Sequence, residues 1–156
     1  MEKDKRFHID KCSAMADNEL QQDNEDELND TSKKGLAGLY NLGNTCYMNS
    51  SIQCLSSTWE LTKYYLDRKY KSLLQREYKN PLGTEGRLVQ AWAKLIGELW
   101  ISNGDVVRPD LFKRILGQYN VTFEGYGQHD SQECINTILD FMSEDLFKKE
   151  KKPYVE

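Results

Sequence analysis

The clearest pattern in the chain is an apolar stripe between about Thr84 and Ile101, formed by Leu88, Ala91, Trp92, Leu95 and Leu99 with Ile96 alongside. That spacing predicts an amphipathic helix. Its two tryptophans, Trp92 and Trp100, suit either a ligand platform or a core face, and the core is preferred because an isolated helix lacks the area to stand alone. Met48, Ile52 and Leu55 predict a second helix, and Leu61, Tyr65 and Leu66 a third, between Trp59 and Tyr70. A short helix is expected to open at Arg108-Pro109-Asp110, with Pro109 near its first position, Leu111, Phe112, Ile115 and Leu116 inward, and Gly117 at its end. The last helix should run from about Asp130 to Lys148, with Cys134, Ile138, Phe141 and Leu146 among its inward positions. Lysines 148, 149, 151 and 152 suit its C-terminal dipole. The breaks between these helices are Asn80-Pro81-Leu82-Gly83, Asn103-Gly104-Asp105 and a flexible aromatic loop, Phe123 to Gly127. No stretch alternates as a strand does, so the chain reads as mainly α.

Composition bounds this picture more than it adds to it. At 156 residues, 38% hydrophobic and 29% charged, the chain fits one soluble globular domain with some disorder. Charge is uneven: residues 1–34 carry ten acids and six bases, whereas residues 35–156 carry fifteen of each. From Cys12 to Ser32 there are seven acids and no base, with sparse apolar residues. Residues 1–34 are therefore expected to be an acidic disordered tail, either regulatory or merely solvating, and order to begin near Gly35. No basic stripe with interleaved aromatics marks a nucleic-acid face, and no apolar run approaches the roughly 18 residues of a membrane span. The charged N-terminus has no apolar segment of the signal-peptide kind, so a cytoplasmic or nuclear setting is expected. Cysteines 12, 46, 54 and 134 include no Cys-x-x-Cys pair, which argues against a structural zinc; no metal and no cofactor is expected.

Candidate chemistry lies in two stretches. Gly38 to Leu55 begins with glycines and asparagines and continues with helical spacing, so Cys46 falls where a loop turns into a helix. Unpaired N–H groups and the macrodipole favour an anion there, which is the setting of a cysteine nucleophile. Asn41, five residues earlier, can turn its amide back beside the sulfur, as an oxyanion donor does. A buried structural cysteine after an ordinary loop is the competing reading. In Gln128-His129-Asp130-Ser131-Gln132-Glu133, Asp130 can cap a helix and Glu133 stands three residues on, a variant of the capping box.

The run Gly38-Leu-Tyr-Asn-Leu-Gly-Asn-Thr-Cys-Tyr-Met-Asn-Ser50 closely resembles the cysteine box of the ubiquitin-specific proteases, a family of papain-like deubiquitinases. The resemblance implies that Cys46 is the nucleophile and that Asn41 supplies the oxyanion contact. Residues 128–133 resemble the same family's glutamine-aspartate-glutamate box, which implies that Gln128, Asp130 and Glu133 bind the ubiquitin tail, the carboxylates gripping its arginines. A cap uses one oxygen, so capping and ligand binding can coexist. The resemblance covers roughly residues 35–156. Asn80 to Gly83 and the ending Lys-Lys-Pro-Tyr-Val-Glu look especially like the branch whose larger members carry a DUSP domain, for which 34 residues leave no room. His129 stands where glutamine is often found, and Cys134 where a bulkier apolar residue is usual.

The implied fold is the thumb-like N-terminal helical lobe of a papain-like (α+β) cysteine peptidase, and the implied partners are ubiquitin and ubiquitinated proteins. One part of the pattern is missing. A cysteine peptidase needs a histidine as base and acid, and the chain has only His8, in the acidic tail, and His129, inside the carboxylate box. The family's histidine box and strand-rich remainder belong further downstream. The chain therefore reads as the front of a deubiquitinase catalytic domain (a truncated product, a partial gene model or a degenerate paralogue). The alternative is a non-catalytic module with at most weak ubiquitin-tail binding.

Overall fold

The computed structural model describes residues 35–74, 80–101 and 105–147. In chain order these form α1 (Cys46–Ser56), α2 (Trp59–Leu66), α3 (Lys71–Leu74), α4 (Arg87–Ile101), α5 (Asp110–Tyr119), a 3-10 turn (Val121–Phe123) and α6 (Ser131–Leu146). Extended pairing among the described residues is limited to one parallel bridge between Leu39 and Val107. The mainly helical reading holds.

α4 is the centre of the core. Its stripe of Leu88, Val89, Ala91, Trp92, Leu95, Ile96 and Leu99 is buried, and it packs against α2, α5 and α6. Burial of each large side chain contributes about 1.5–3 kcal/mol over exposure, so this one face accounts for much of what holds the lobe together. Trp92 is fully buried as a core residue; Trp100 is half-buried and donates its Nε1–H to Ser56 Oγ at 2.9 Å. α1 lies along α6, which brings the two candidate stretches onto neighbouring helices.

Several boundaries differ from the sequence expectation for identifiable reasons. α4 starts at Arg87 rather than near Thr84, because Glu85 (φ 58°) and Gly86 (φ 81°) are left-handed and no right-handed helix can run through them. Thr84 serves the helix from outside, its Oγ1 accepting the Leu88 N–H at 2.8 Å. α2 stops at Leu66, and Arg68 (φ 55°) turns the chain before α3. Pro109 is the residue before the first turn of α5, and Leu111 faces solvent while Phe112 and Leu116 are buried.

Gly117 does not end α5; it is buried within it. A Cβ there would stand 2.8 Å from Glu124 Cα and 3.0 Å from the Phe123 carbonyl oxygen, so glycine is required by the returning backbone rather than by helix termination. Phe123, read as part of a flexible loop, is fully buried. The acidic tail, the Asn103-Gly104 break and the lysines from 148 onward lie outside the described residues.

Candidate active site

Cys46 is the first residue of α1, and its thiol is exposed. The segment ahead of it is held from two sides. Tyr40 N–H donates to the Val107 carbonyl at 2.8 Å and Val107 N–H to that of Gly38 at 2.9 Å. From α1, the Asn49 amide donates to the Tyr40 carbonyl at 3.2 Å and the Gln53 amide to that of Ala37 at 3.1 Å. Gly43 (φ 108°) and Asn44 (φ 52°) then make the left-handed turn that delivers the chain into the helix.

Asn41 organises this turn. Its Oδ1 accepts from Gly43 N–H at 3.0 Å, Thr45 N–H at 3.2 Å and the Thr45 hydroxyl at 3.1 Å. The acceptor end of the amide is thereby fixed, and its Nδ2 donors have no partner among the described residues. Thr45 is fully buried, and its Oγ1 accepts from Leu42 N–H at 3.0 Å. With its hydroxyl turned back into the loop, Thr45 makes no side-chain cap on α1, and no acid stands in the first turn. The N-terminal amides around Cys46 are left without a side-chain acceptor.

The second stretch begins α6 in the opposite manner. Asp130 is its N-cap, and one oxygen, Oδ1, accepts from Gln132 N–H at 2.6 Å and Glu133 N–H at 3.3 Å. The reciprocal half of a capping box is absent: the exposed Glu133 carboxylate makes no bond back to Asp130. Among the described residues Asp130 Oδ2 and both Glu133 oxygens remain open as acceptors, and Gln128 is exposed beside them. His129 is half-buried, its ring edge-on to Tyr47 (5.0 Å) and Phe123 (5.3 Å). No hydrogen bond joins its imidazole to the Cys46 thiol among the described residues.

The two starts are tied together. Ser50 Oγ lies 3.2 Å from Ser131 Oγ, and the Ser51 hydroxyl lies 2.7 Å from the Tyr47 carbonyl and 3.1 Å from that of Ser131. Asn44 Nδ2 donates to the Tyr126 carbonyl at 3.0 Å. Cys134 lies at this junction, fully buried. Desolvation pushes its thiol up to about 11, against the lowering effect of the Ser51 hydroxyl. Asn44, Ser50, Ser51 and Ser131 carry no apolar periodicity, so pattern reading passes over them, whereas Cys134 falls on the inward spacing of α6.

Among the described residues no cluster of His, Cys, Asp and Glu could hold a metal ion, and no helix is long and apolar enough to cross a membrane. Residues 37–155 match the family model described as ubiquitin carboxyl-terminal hydrolase, and the chain belongs to that family, the ubiquitin-specific proteases. It is 48% identical over 122 residues to ubiquitin carboxyl-terminal hydrolase 4 of Rattus norvegicus, covering 78% of this chain and 12% of the relative. The corresponding values are 46%, 78% and 12% for ubiquitin carboxyl-terminal hydrolase 15 of Homo sapiens. A putative ubiquitin carboxyl-terminal hydrolase 11 of Arabidopsis thaliana is 47% identical over 80% of this chain and 14% of its own length. The chain thus spans about an eighth of the length of the curated relatives it matches.

Proposed function

We propose that residues 35–156 are the N-terminal part of a catalytic domain that hydrolyses peptide and isopeptide bonds at the C-terminal glycine of ubiquitin. Cys46 is the nucleophile in this reading. Its sulfur attacks the glycine carbonyl, and the negative charge that develops on the carbonyl oxygen meets the Nδ2 donors of Asn41. Asp130, Glu133 and Gln128 hold the arginine-bearing tail of ubiquitin by charge-assisted bonds, leading it towards the cysteine. The observation that carries the reading is the exposed Cys46 thiol at an uncapped helix start, behind a loop whose Asn41 has its acceptor tied down and its donors free.

By themselves the 156 residues are proposed not to turn over ubiquitin conjugates. Breaking an isopeptide bond requires a group that takes the thiol proton and then protonates the departing amine, a contribution of about 10²–10⁴ in rate. His129 is the one histidine among the described residues, and its edge-on packing against Tyr47 and Phe123 favours a structural role. The test is to incubate residues 1–156 with ubiquitin bearing a C-terminal electrophile and, separately, with a fluorogenic ubiquitin C-terminal amide. Slow single labelling of Cys46, lost in Cys46→Ser, is the expected result with the first, and no multiple turnover with the second. Absence of any Cys46 labelling would sink the nucleophile assignment. Turnover abolished by His129→Ala would make these residues an enzyme in their own right.

A further inference from the structure

We propose that Lys113 is a positioning residue: acting through the turn at 123–126, it holds the loop that delivers Cys46. Lys113 is only 7% exposed and forms no ion pair with a carboxylate among the described residues. A buried ammonium without a counter-charge is costly, so its partners should reveal its use. Those partners are backbone carbonyls of a single turn: Nζ donates to the Phe123 carbonyl and, at 2.7 Å, to that of Gly125, and it lies 5.9 Å from the centre of the Tyr126 ring.

The turn so gripped passes its position on. The Tyr126 carbonyl accepts from Asn44 Nδ2 at 3.0 Å, the one hydrogen bond among the described residues between the 41–45 loop and residues 121–127. Asn44 sits at φ 52° between Gly43 and Thr45, whose N–H groups are both held by Asn41 Oδ1. A Cβ on Gly43 would lie 3.7 Å from the Tyr126 ring, which places that side chain beside the loop. An unbroken series of bonds thus runs from the Lys113 ammonium to the amide of Asn41 and the residue before Cys46. The consequence for catalysis rests on the roles proposed above for Cys46 and Asn41, whereas the mechanical coupling does not.

Amide hydrogen exchange on the unliganded chain separates the two. Lys113→Met should raise exchange at Leu42 and Thr45 about tenfold, a local opening, while Ile96 and Leu99 in α4 stay unchanged. Asn44→Gly, which keeps the left-handed conformation and removes the link, should produce the same local rise. Adding Lys113→Met to it should give no further rise at Thr45. A uniform rise that includes α4, additive effects in the double variant, or unchanged exchange at Thr45 in Asn44→Gly would each overturn the proposal. Should Lys113→Met fail to fold, Lys113→Gln takes its place, with the same expected and overturning results. Failure of the ubiquitin probe to label Cys46 would remove the proposed function and leave the coupling standing.

Discussion

α1 and α6 lie side by side and begin in opposite ways. α6 starts on Asp130, a cap that satisfies two amides with one oxygen. α1 starts on Thr45, whose hydroxyl is committed to the preceding loop, so the amides beside Cys46 receive no side-chain acceptor. A missing cap typically costs about 1 kcal/mol. The difference teaches that two motifs of similar polar character are built for different tasks. One start is completed internally and keeps spare carboxylate oxygens facing outward. The other is left incomplete beside an exposed thiol, the nucleophile of the proposed reaction.

The sharpest way to exploit this contrast is to strip the outward charge of α6 while keeping its cap. In Asp130→Asn with Glu133→Gln, the asparagine oxygen still serves the Gln132 and Glu133 amides. Binding of ubiquitin by a complete catalytic domain carrying both changes should weaken by about 2–5 kcal/mol, the usual cost of removing one side of a desolvated charge pair. Thermal melts should move little. Unchanged affinity with a large drop in melting temperature would show that the carboxylates matter only to the helix.

Next in size is the buried thiol at the junction. The pKa of Cys134 is raised in the fold by desolvation to about 11, from an ordinary value of about 9. The raised value means the folded state disfavours the thiolate. Its stabilising contribution is therefore complete below about pH 9 and lost as pH rises towards 11, on the order of 2 kcal/mol over that window. Tyr47, pushed up to about 12 by burial, loses its contribution at still higher pH. Urea denaturation between pH 8.5 and 10.5 should show a steeper loss for the native chain than for Cys134→Ala. Equal slopes would mean that Cys134 titrates alike in the folded and unfolded chain, so that its burial adds no pH dependence.

Asp130→Ala should cost about 1 kcal/mol in urea denaturation, and Asp130→Asn only a few tenths, because asparagine caps nearly as well as aspartate. If both cost the same, the charge rather than the cap steadies α6, and the contrast with α1 is electrostatic.

How much of this was legible beforehand follows from what each residue does. The α4 stripe can be read because apolar spacing and burial are the same fact, and Met48, Ile52, Cys134 and Ile138 are legible in the same way on α1 and α6. The Asp130 cap could be read because capping is local, as was its spare oxygen. Gly117 reads as a stop because its neighbour, the Glu124 backbone, approaches through tertiary folding that no local pattern encodes. Phe123 reads as a loop residue because two aromatics among glycines have no period. The commitment of Asn41 Oδ1 to the loop, and the grip of Lys113 on the turn at 123–126, depend on individual hydrogen bonds between segments.

The smallest expected effect on stability belongs to Cys46→Ser, within about 0.5 kcal/mol, because the side chain is exposed and makes no hydrogen bond among the described residues. Its value lies in the reactivity it removes. Cys46 and Cys54 are both exposed and share α1, one at its first residue and the other near its end. They therefore differ chiefly in distance from the uncapped amides, which stabilise negative charge on a sulfur within the first turn only. Iodoacetamide under native conditions, followed by peptide mapping, should modify Cys46 faster than Cys54, and buried Cys134 slowest of the three. Cys46→Ser should leave the rates at the other two unchanged. Equal rates at Cys46 and Cys54 would mean that the incomplete start of α1 confers nothing on its sulfur, and the contrast between the two helices would then be one of architecture alone.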